Sequence, residues 1–174
     1  VAVLGSTVEN LEKILNDNKE NFKVYIANDN SDGQIVLSGK NNDLENFSGV
    51  LKSLKIKNIK LPVSAPFHCN LMNKATNIMS KEIENLSFEK SNNILISNVT
   101  GDEISNTEEL KKLLTKQIEN RVRWRESVIN MINKGVKQFI EIGPGKVLSG
   151  LVKRINKDVV INSINNEEDI KNLR

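Results

Sequence analysis

Apolar residues recur along this chain with two different periods, and the places where the period changes mark its elements. Residues 1–5, Val-Ala-Val-Leu-Gly, read as a short buried strand. Ser6, Thr7 and Glu9 then supply capping residues ahead of a helical spacing at Leu11, Ile14 and Leu15. Residues 22–27 alternate as a strand does, and residues 35–38 form another after a stretch rich in Asn, Asp, Ser and Gly. A second helix opens near Asn42 with apolar positions Leu44, Phe47, Val50, Leu51 and Leu54, and residues 56–61 close the unit as a strand. The order strand-helix-strand-strand-helix-strand predicts a split β-α-β, or ferredoxin-like, unit over residues 1–61.

From Pro62 onward the grammar changes. Helical spacing covers residues 70–86, through Leu71, Ala75, Ile78, Met79 and Ile83. A short strand is predicted over residues 94–97. A helix over 107–118 is expected to be capped by Thr107, with Glu108 and Glu109 in its first turn. Residues 124–134 form another helix, stopped at Gly135. Strand 136–142, helix 146–155 and strand 159–161 complete residues 62–174. Strands that alternate with helices predict a mostly parallel sheet covered by helices.

The totals allow this and exclude other classes. At 174 residues the chain is long enough for one ordinary domain or two small ones. With 38% hydrophobic residues it can bury a core, but aromatics at 4% leave that core to Ile, Leu and Val. A net charge of +3 with both signs interspersed is not the footprint of a nucleic-acid binder. No apolar run reaches the length of a membrane span. The single cysteine, Cys69, excludes an intrachain disulfide and fits a reducing compartment, so a cytoplasmic location is expected. The sequence starts at Val1 in a strand-like stretch without a methionine, and is expected to be a piece of a longer protein. Half a parallel sheet taken alone would expose an apolar edge and be marginally stable.

Candidate chemistry centres on His68, the one histidine of the chain, in Leu-Pro-Val-Ser-Ala-Pro-Phe-His-Cys-Asn-Leu-Met (residues 61–72). Pro62 and Pro66 fix their own φ and push the residues before them toward extended conformations, so His68 is expected at a helix start. An imidazole there can serve as a general base or be an ordinary satisfied histidine. One His and one Cys side by side cannot assemble a zinc set, so no metal is expected. Cys69 is expected to be inert. Gly143-Pro144-Gly145-Lys146 lacks the spacing of a phosphate loop and reads as a tight strand-to-helix connection. Arg121, Arg123 and Arg125 around Trp124 read as a solvated helix start, or as a contact for an acidic partner.

Residues 61–72 resemble the histidine motif of malonyl-CoA:acyl-carrier-protein transacylases and related acyltransferase domains. Three further stretches agree in order and spacing: residues 28–39 (Asn-Asp-Asn-Ser-Asp-Gly-Gln-Ile-Val-Leu-Ser-Gly), Lys116-Gln117 with Val122-Arg123-Trp124, and residues 141–148. The resemblance implies an α/β fold. It would consist of a ferredoxin-like small subdomain, residues 1–61, followed by the C-terminal part of an α/β-hydrolase-like large subdomain, residues 62–174. It implies malonyl transfer from coenzyme A to the phosphopantetheine thiol of acyl carrier protein in fatty acid biosynthesis, through a serine ester. No cofactor is implied, because the coenzyme A thioester is a substrate; the full-length parent would be a monomer. The family's Gly-His-Ser-x-Gly nucleophile motif and its substrate-carboxylate arginine match no residue here.

The roles implied by the resemblance fall on five residues. His68 would be the base, oriented by the backbone carbonyl of Gln117; on spacing alone Gln117 is an exposed helix residue. Phe67 would border the acyl pocket and favour an unsubstituted malonyl group, or else belong to the core. Asn28 and Asn30 would face the cleft and contact the substrate or its pantetheine arm through amides that both donate and accept; by turn chemistry alone they are loop residues. Three alternatives stand beside this reading. They are a module that binds coenzyme A or carrier protein without turnover, a polyketide synthase acyltransferase domain, and a thioesterase-like hydrolase.

Overall fold

Val3, 1% exposed, lies in the main core, where one sheet and two helices meet. The computed structural model describes residues 1–173, and its first unit runs from Val1 to Ser127. The elements in order are β1 (Ala2–Leu4), α1 (Val8–Asp17), β2 (Val24–Ser31), β3 (Gln34–Gly39), α2 (Asn41–Ser53) and β4 (Lys57–Ile59). All pairings are antiparallel and the strand order is β2-β3-β1-β4. This is the element order expected of residues 1–61. Leu11 and Ile14 from α1, Phe47 and Leu51 from α2, and Val24, Ile35 and Leu37 from the strands close around Val3. Each such side chain contributes about 1.5–3 kcal/mol by leaving water.

Local chemistry sets the boundaries. Thr7 caps α1, its hydroxyl accepting from the Asn10 N–H at 3.2 Å. The β2–β3 hairpin turns on Asp32 and Gly33. Gly33 has φ +70°, and a Cβ there would meet the Gly5 backbone at 3.3 Å, so the turn takes glycine for both reasons. Strand β2 runs further than the expected 22–27. The Asn/Asp/Ser stretch read as a turn is instead extended chain, bulged between Ile26 and Asn28 and again between Asp29 and Ser31.

Beyond β4 the first unit continues through a 3₁₀ turn (Asn70–Met72), α3 (Asn73–Asn85) and α4 (Thr107–Gln117) into α5 (Trp124–Asn133). Two expectations are corrected here. Residues 94–97 are not a strand but make a single bridge, Ile96 to Glu103. Their backbone is taken up by the turn that follows, Ser97 N–H bonding Asp102 O and Ile104 N–H bonding Leu95 O, both at 2.9 Å. The cap of α4 is Asn106, not Thr107: its side chain accepts from the Glu109 N–H at 2.9 Å, and the Glu109 carboxylate accepts in return from the Ser105 N–H.

The second unit begins at Val128. By compactness the chain thus divides after Ser127, whereas the sequence pattern changes near Leu61, where the four-stranded sheet has ended. In this unit β5 (Gln138–Ile142) and β6 (Val160–Ile164) pair in parallel, linked through α6 (Val147–Ile155), with α7 (Glu167–Lys171) after them. Helix α7 carries no apolar period long enough to read, and Asn166 caps it. Ile140 and Ile142 are 42% and 79% exposed, unusual for a parallel strand.

Glu141 stands in for the missing side-chain cap of α6. Its two oxygens accept from the Leu148 and Ser149 N–H groups at 3.1 and 2.7 Å. The Ser149 hydroxyl first, then these backbone N–H groups, hold its carboxyl below the usual range. A folded-state pKa below the unfolded one adds stability above the unfolded value, and that stability is lost as pH falls through the folded value. Glu141→Gln is therefore expected to lower stability by about 0.3–1 kcal/mol near neutral pH, and the difference should close in acid. Thermal melts at both pH values check this; an equal gap in acid would count against it.

Candidate active site

His68 is held in an uncommon backbone conformation, with φ +59°. A non-glycine residue rarely sits there, although His is among the more tolerant types. Two consecutive carbonyls from the end of α4 hold it in place. The backbone N–H of His68 bonds Ile118 O at 3.2 Å, and its ring Nδ1 lies 2.8 Å from Gln117 O. A carbonyl oxygen only accepts, so Nδ1 carries a proton, and in the neutral imidazole the lone pair is on Nε2. Among the described residues no Ser, Thr or Cys side chain is hydrogen-bonded to this ring. His68 falls just before the 3₁₀ turn, two residues ahead of Asn70, as the prolines suggest.

His68 lines a cleft of about 850 Å³ within the first unit, a size suited to a small-molecule site. Asn28 and Asn30 line it from β2, and Phe67, 49% exposed, lines it beside His68. The Phe67 and His68 rings are 6.5 Å apart, tilted by 49°. The structure thus brings His68, Phe67, Asn28 and Asn30 to one cleft, while Gln117 lies outside its lining and is bonded to the His68 ring through its carbonyl. Helix α2, β4 and the residues flanking them add Lys40, Lys52, Asn58 and Lys60, which the sequence does not single out. Lys60 pairs with Glu45 at 2.7 Å, and that bond first, then its charge, lowers the Glu45 carboxyl. Both side chains are well exposed, so the pair has little weight in stability.

The arginine cluster is not a solvated helix start. Arg121 and Arg125 are only 16% and 25% exposed, because carboxylates surround the segment. Arg121 meets Glu12 at 3.0 Å and Arg123 meets Glu126 at 2.9 Å. Arg125 Nε donates to both oxygens of Asp29 at 3.0 and 3.1 Å, and Nη1 lies 3.6 Å from Asp32. The Asp29 hydrogen bond first, supported by its charge, raises the Arg125 guanidinium above its ordinary range. Asp29 is 1% exposed. A signal for it exists in the sequence: alternation along β2 puts it on the side of Ala27 and Ser31, where an acid needs a partner. The partner itself is 96 residues away and unreadable from spacing.

The remaining candidates have ordinary explanations. In the Gly143–Gly145 connection the Gly143 N–H bonds Ile164 O and the Gly145 N–H bonds Asn165 Oδ1, which leaves both donors engaged. Cys69 is 1% exposed, with Sγ 3.2 Å from Pro66 O. Among the described residues no group of three or more His, Cys, Asp and Glu is placed to hold a metal, and no helix is long and apolar enough to cross a membrane.

The left-handed backbone at His68 has a measurable consequence. Any L-residue with a Cβ pays strain there, and glycine does not. His68→Gly is expected to be about 1 kcal/mol more stable than His68→Ala, as read from denaturant midpoints of the two variants. Equal midpoints would mean that the turn relaxes once the imidazole is gone.

No protein-family model matches the chain. Individual proteins do. The malonyl CoA-acyl carrier protein transacylase of Bacillus subtilis is 37% identical over 172 residues, 98% of this chain and 54% of that protein. That of Staphylococcus aureus is also 37% identical, over 98% of this chain and 56% of its own length. Among solved structures, the transacylase of Clostridium perfringens superposes with a TM-score of 0.93 at 39% identity, covering 98% of this chain and 54% of that one. A malonyl-transacylase solved in complex with a type II PKS acyl-carrier protein gives 0.91 at 30% identity, covering 98% and 55%. The chain spans about half the length of the relatives it matches. Over nearly the whole of its own length, and about half of theirs, this chain is a homologue of the malonyl CoA-acyl carrier protein transacylases.

Proposed function

We propose that the protein carrying this sequence transfers malonyl from coenzyme A to the phosphopantetheine thiol of acyl carrier protein, with His68 as general base and acid. The carrying observation is the bond from His68 Nδ1 to Gln117 O at 2.8 Å, which commits the tautomer of a histidine that lines the cleft. In the first half-reaction Nε2 takes the proton of a serine hydroxyl, one that no residue of this chain matches, as its oxygen attacks the thioester carbonyl. The C–S bond breaks and the thiolate leaves with that proton. In the second half the carrier thiol loses its proton to Nε2, attacks the serine ester, and the serine oxygen is reprotonated.

Asn28 and Asn30 are assigned to the substrate or its amide-rich arm, and Phe67 to the space beside the acyl α-carbon. On this reading residues 1–61 are a ferredoxin-like small subdomain and the later residues the C-terminal part of an α/β-hydrolase-like subdomain. The pathway is fatty acid synthesis, and no cofactor is needed. The names of the relatives, and the solved complex of one transacylase with a carrier protein, support the substrates and the partner.

The test is transfer of labelled malonyl from coenzyme A to holo carrier protein by the full-length protein. His68→Ala is expected to lower kcat/KM by about 10²–10⁴-fold. Gln117→Ala keeps the carbonyl and should stay within about threefold of wild type. Normal transfer by His68→Ala would sink the mechanism. Free malonate as the main product would favour a hydrolase, and tight coenzyme A binding without turnover a binding module.

A further inference from the structure

Strand β2 is the edge of its sheet and is bulged twice where Asn28 and Asn30 lie. Pairing with β3 therefore does not by itself decide which way these residues face, and a one-residue slip would turn both asparagines away from the cleft. The free edge of β2 is held from the other side. Val122 takes one backbone bond there and gives another: Asp29 N–H bonds Val122 O at 2.9 Å, and Val122 N–H bonds Ala27 O at 2.8 Å. The Asp29 carboxylate between the two asparagines is buried and closes on Arg125 in the first turn of α5. Arg125 also leans toward Asp32 in the hairpin turn. The same stretch of chain begins with the Gln117 and Ile118 carbonyls that grip His68. Residues 117–125 thus touch both parts of the site, the imidazole at one end and the asparagine strand at the other.

We propose that Arg125 is a positioning residue: through the buried Asp29 carboxylate it locks the bulged edge of β2, so that Asn28 and Asn30 are presented to the arm of an acyl-thioester at a set place relative to His68. The proposal rests on the transacylase reading for the identity of the arm. A carboxylate this buried needs a partner, which gives the lock a definite register: Asp29 cannot slide to the cleft side without losing both of its bonds to the Arg125 guanidinium. Arg125 is not among the residues lining the cleft and is bonded to Asp29 and Asp32, not to His68, so its loss should weaken use of the arm and spare the chemistry.

The experiment uses the full-length protein and two malonyl donors: malonyl-CoA, and the short thioester of N-acetylcysteamine, which lacks most of the arm. Asp29→Leu/Arg125→Met removes both charges together and avoids an unpaired buried acid. It is expected to raise KM for malonyl-CoA about tenfold with kcat within about twofold, and to leave kcat/KM for the short donor within about twofold of wild type. Arg125→Lys, which keeps a cation opposite Asp29, should recover most of the loss; if the double variant does not fold, Asp29→Asn, which keeps the side-chain shape and removes the charge, takes its place and is expected to raise KM for malonyl-CoA alone. Equal losses with both donors, or no loss with either, would overturn the lock. If wild type transfers malonyl from neither donor, the transacylase reading fails on its own, and calorimetric titration with coenzyme A decides the lock. Weaker binding by the variant supports it; equal binding, or none by wild type, overturns it.

Discussion

Two backbone hydrogen bonds, from Asp29 N–H to Val122 O and from Val122 N–H to Ala27 O, tie residues after α4 to the open edge of the four-stranded sheet. Edge strands carry a row of unpaired donors and acceptors and need cover. Here a single residue provides a rung, and the consequences reach further than a rung's own energy of about 1 kcal/mol. Because Val122 is fixed, the end of α4 is carried to the histidine turn and the start of α5 to Asp29. The candidate site is therefore built across the sequence, from residues 28–30, 67–68 and 117–125.

The electrostatics follow the same line. Removing Asp29 from water is costly, and its pairing with Arg125 offsets that cost without being a clear source of net stability. What such a pair supplies is geometry, because a half-made version of it is strongly unfavourable. The exposed Lys60–Glu45 pair at the cleft is shorter yet has little hold on the structure, since water competes for both partners. Distance alone therefore ranks these two pairs wrongly; burial ranks them correctly.

A histidine oriented by a carbonyl differs from one oriented by a carboxylate. Both fix the Nδ1 proton, but the carbonyl adds no full negative charge beside the ring. That arrangement makes the backbone at Gln117, not its side chain, the partner of His68. It also explains why no acidic residue near His68 in sequence signals the arrangement. The left-handed φ at His68 belongs to the same design, since it lets ring and backbone N–H reach successive carbonyls of one helix end.

Local periodicity was enough to read α1, α2 and the order of elements along residues 1–61, because amphipathic spacing and turn residues act over a few neighbours. It also placed His68 beside a stiff turn, and the resemblance of four stretches pointed to Asn28, Asn30, Phe67 and Gln117. Local reading failed where partners decided the outcome. Residues 28–31 continue as strand because Val122 and β3 pair with them, residues 94–97 fold onto their own turn, and Asn106 outcompetes Thr107 for the cap by its reach to the Glu109 N–H. Most plainly, the arginines that look like a solvated helix start are drawn in by Glu12, Glu126 and Asp29. The sequence by itself determined which residues could form helices, strands and a base, since those properties belong to short stretches of chain. Only the tertiary structure decided what the imidazole and the buried aspartate are bonded to, because those partners lie 49 and 96 residues away and meet only once the sheet has its edge covered.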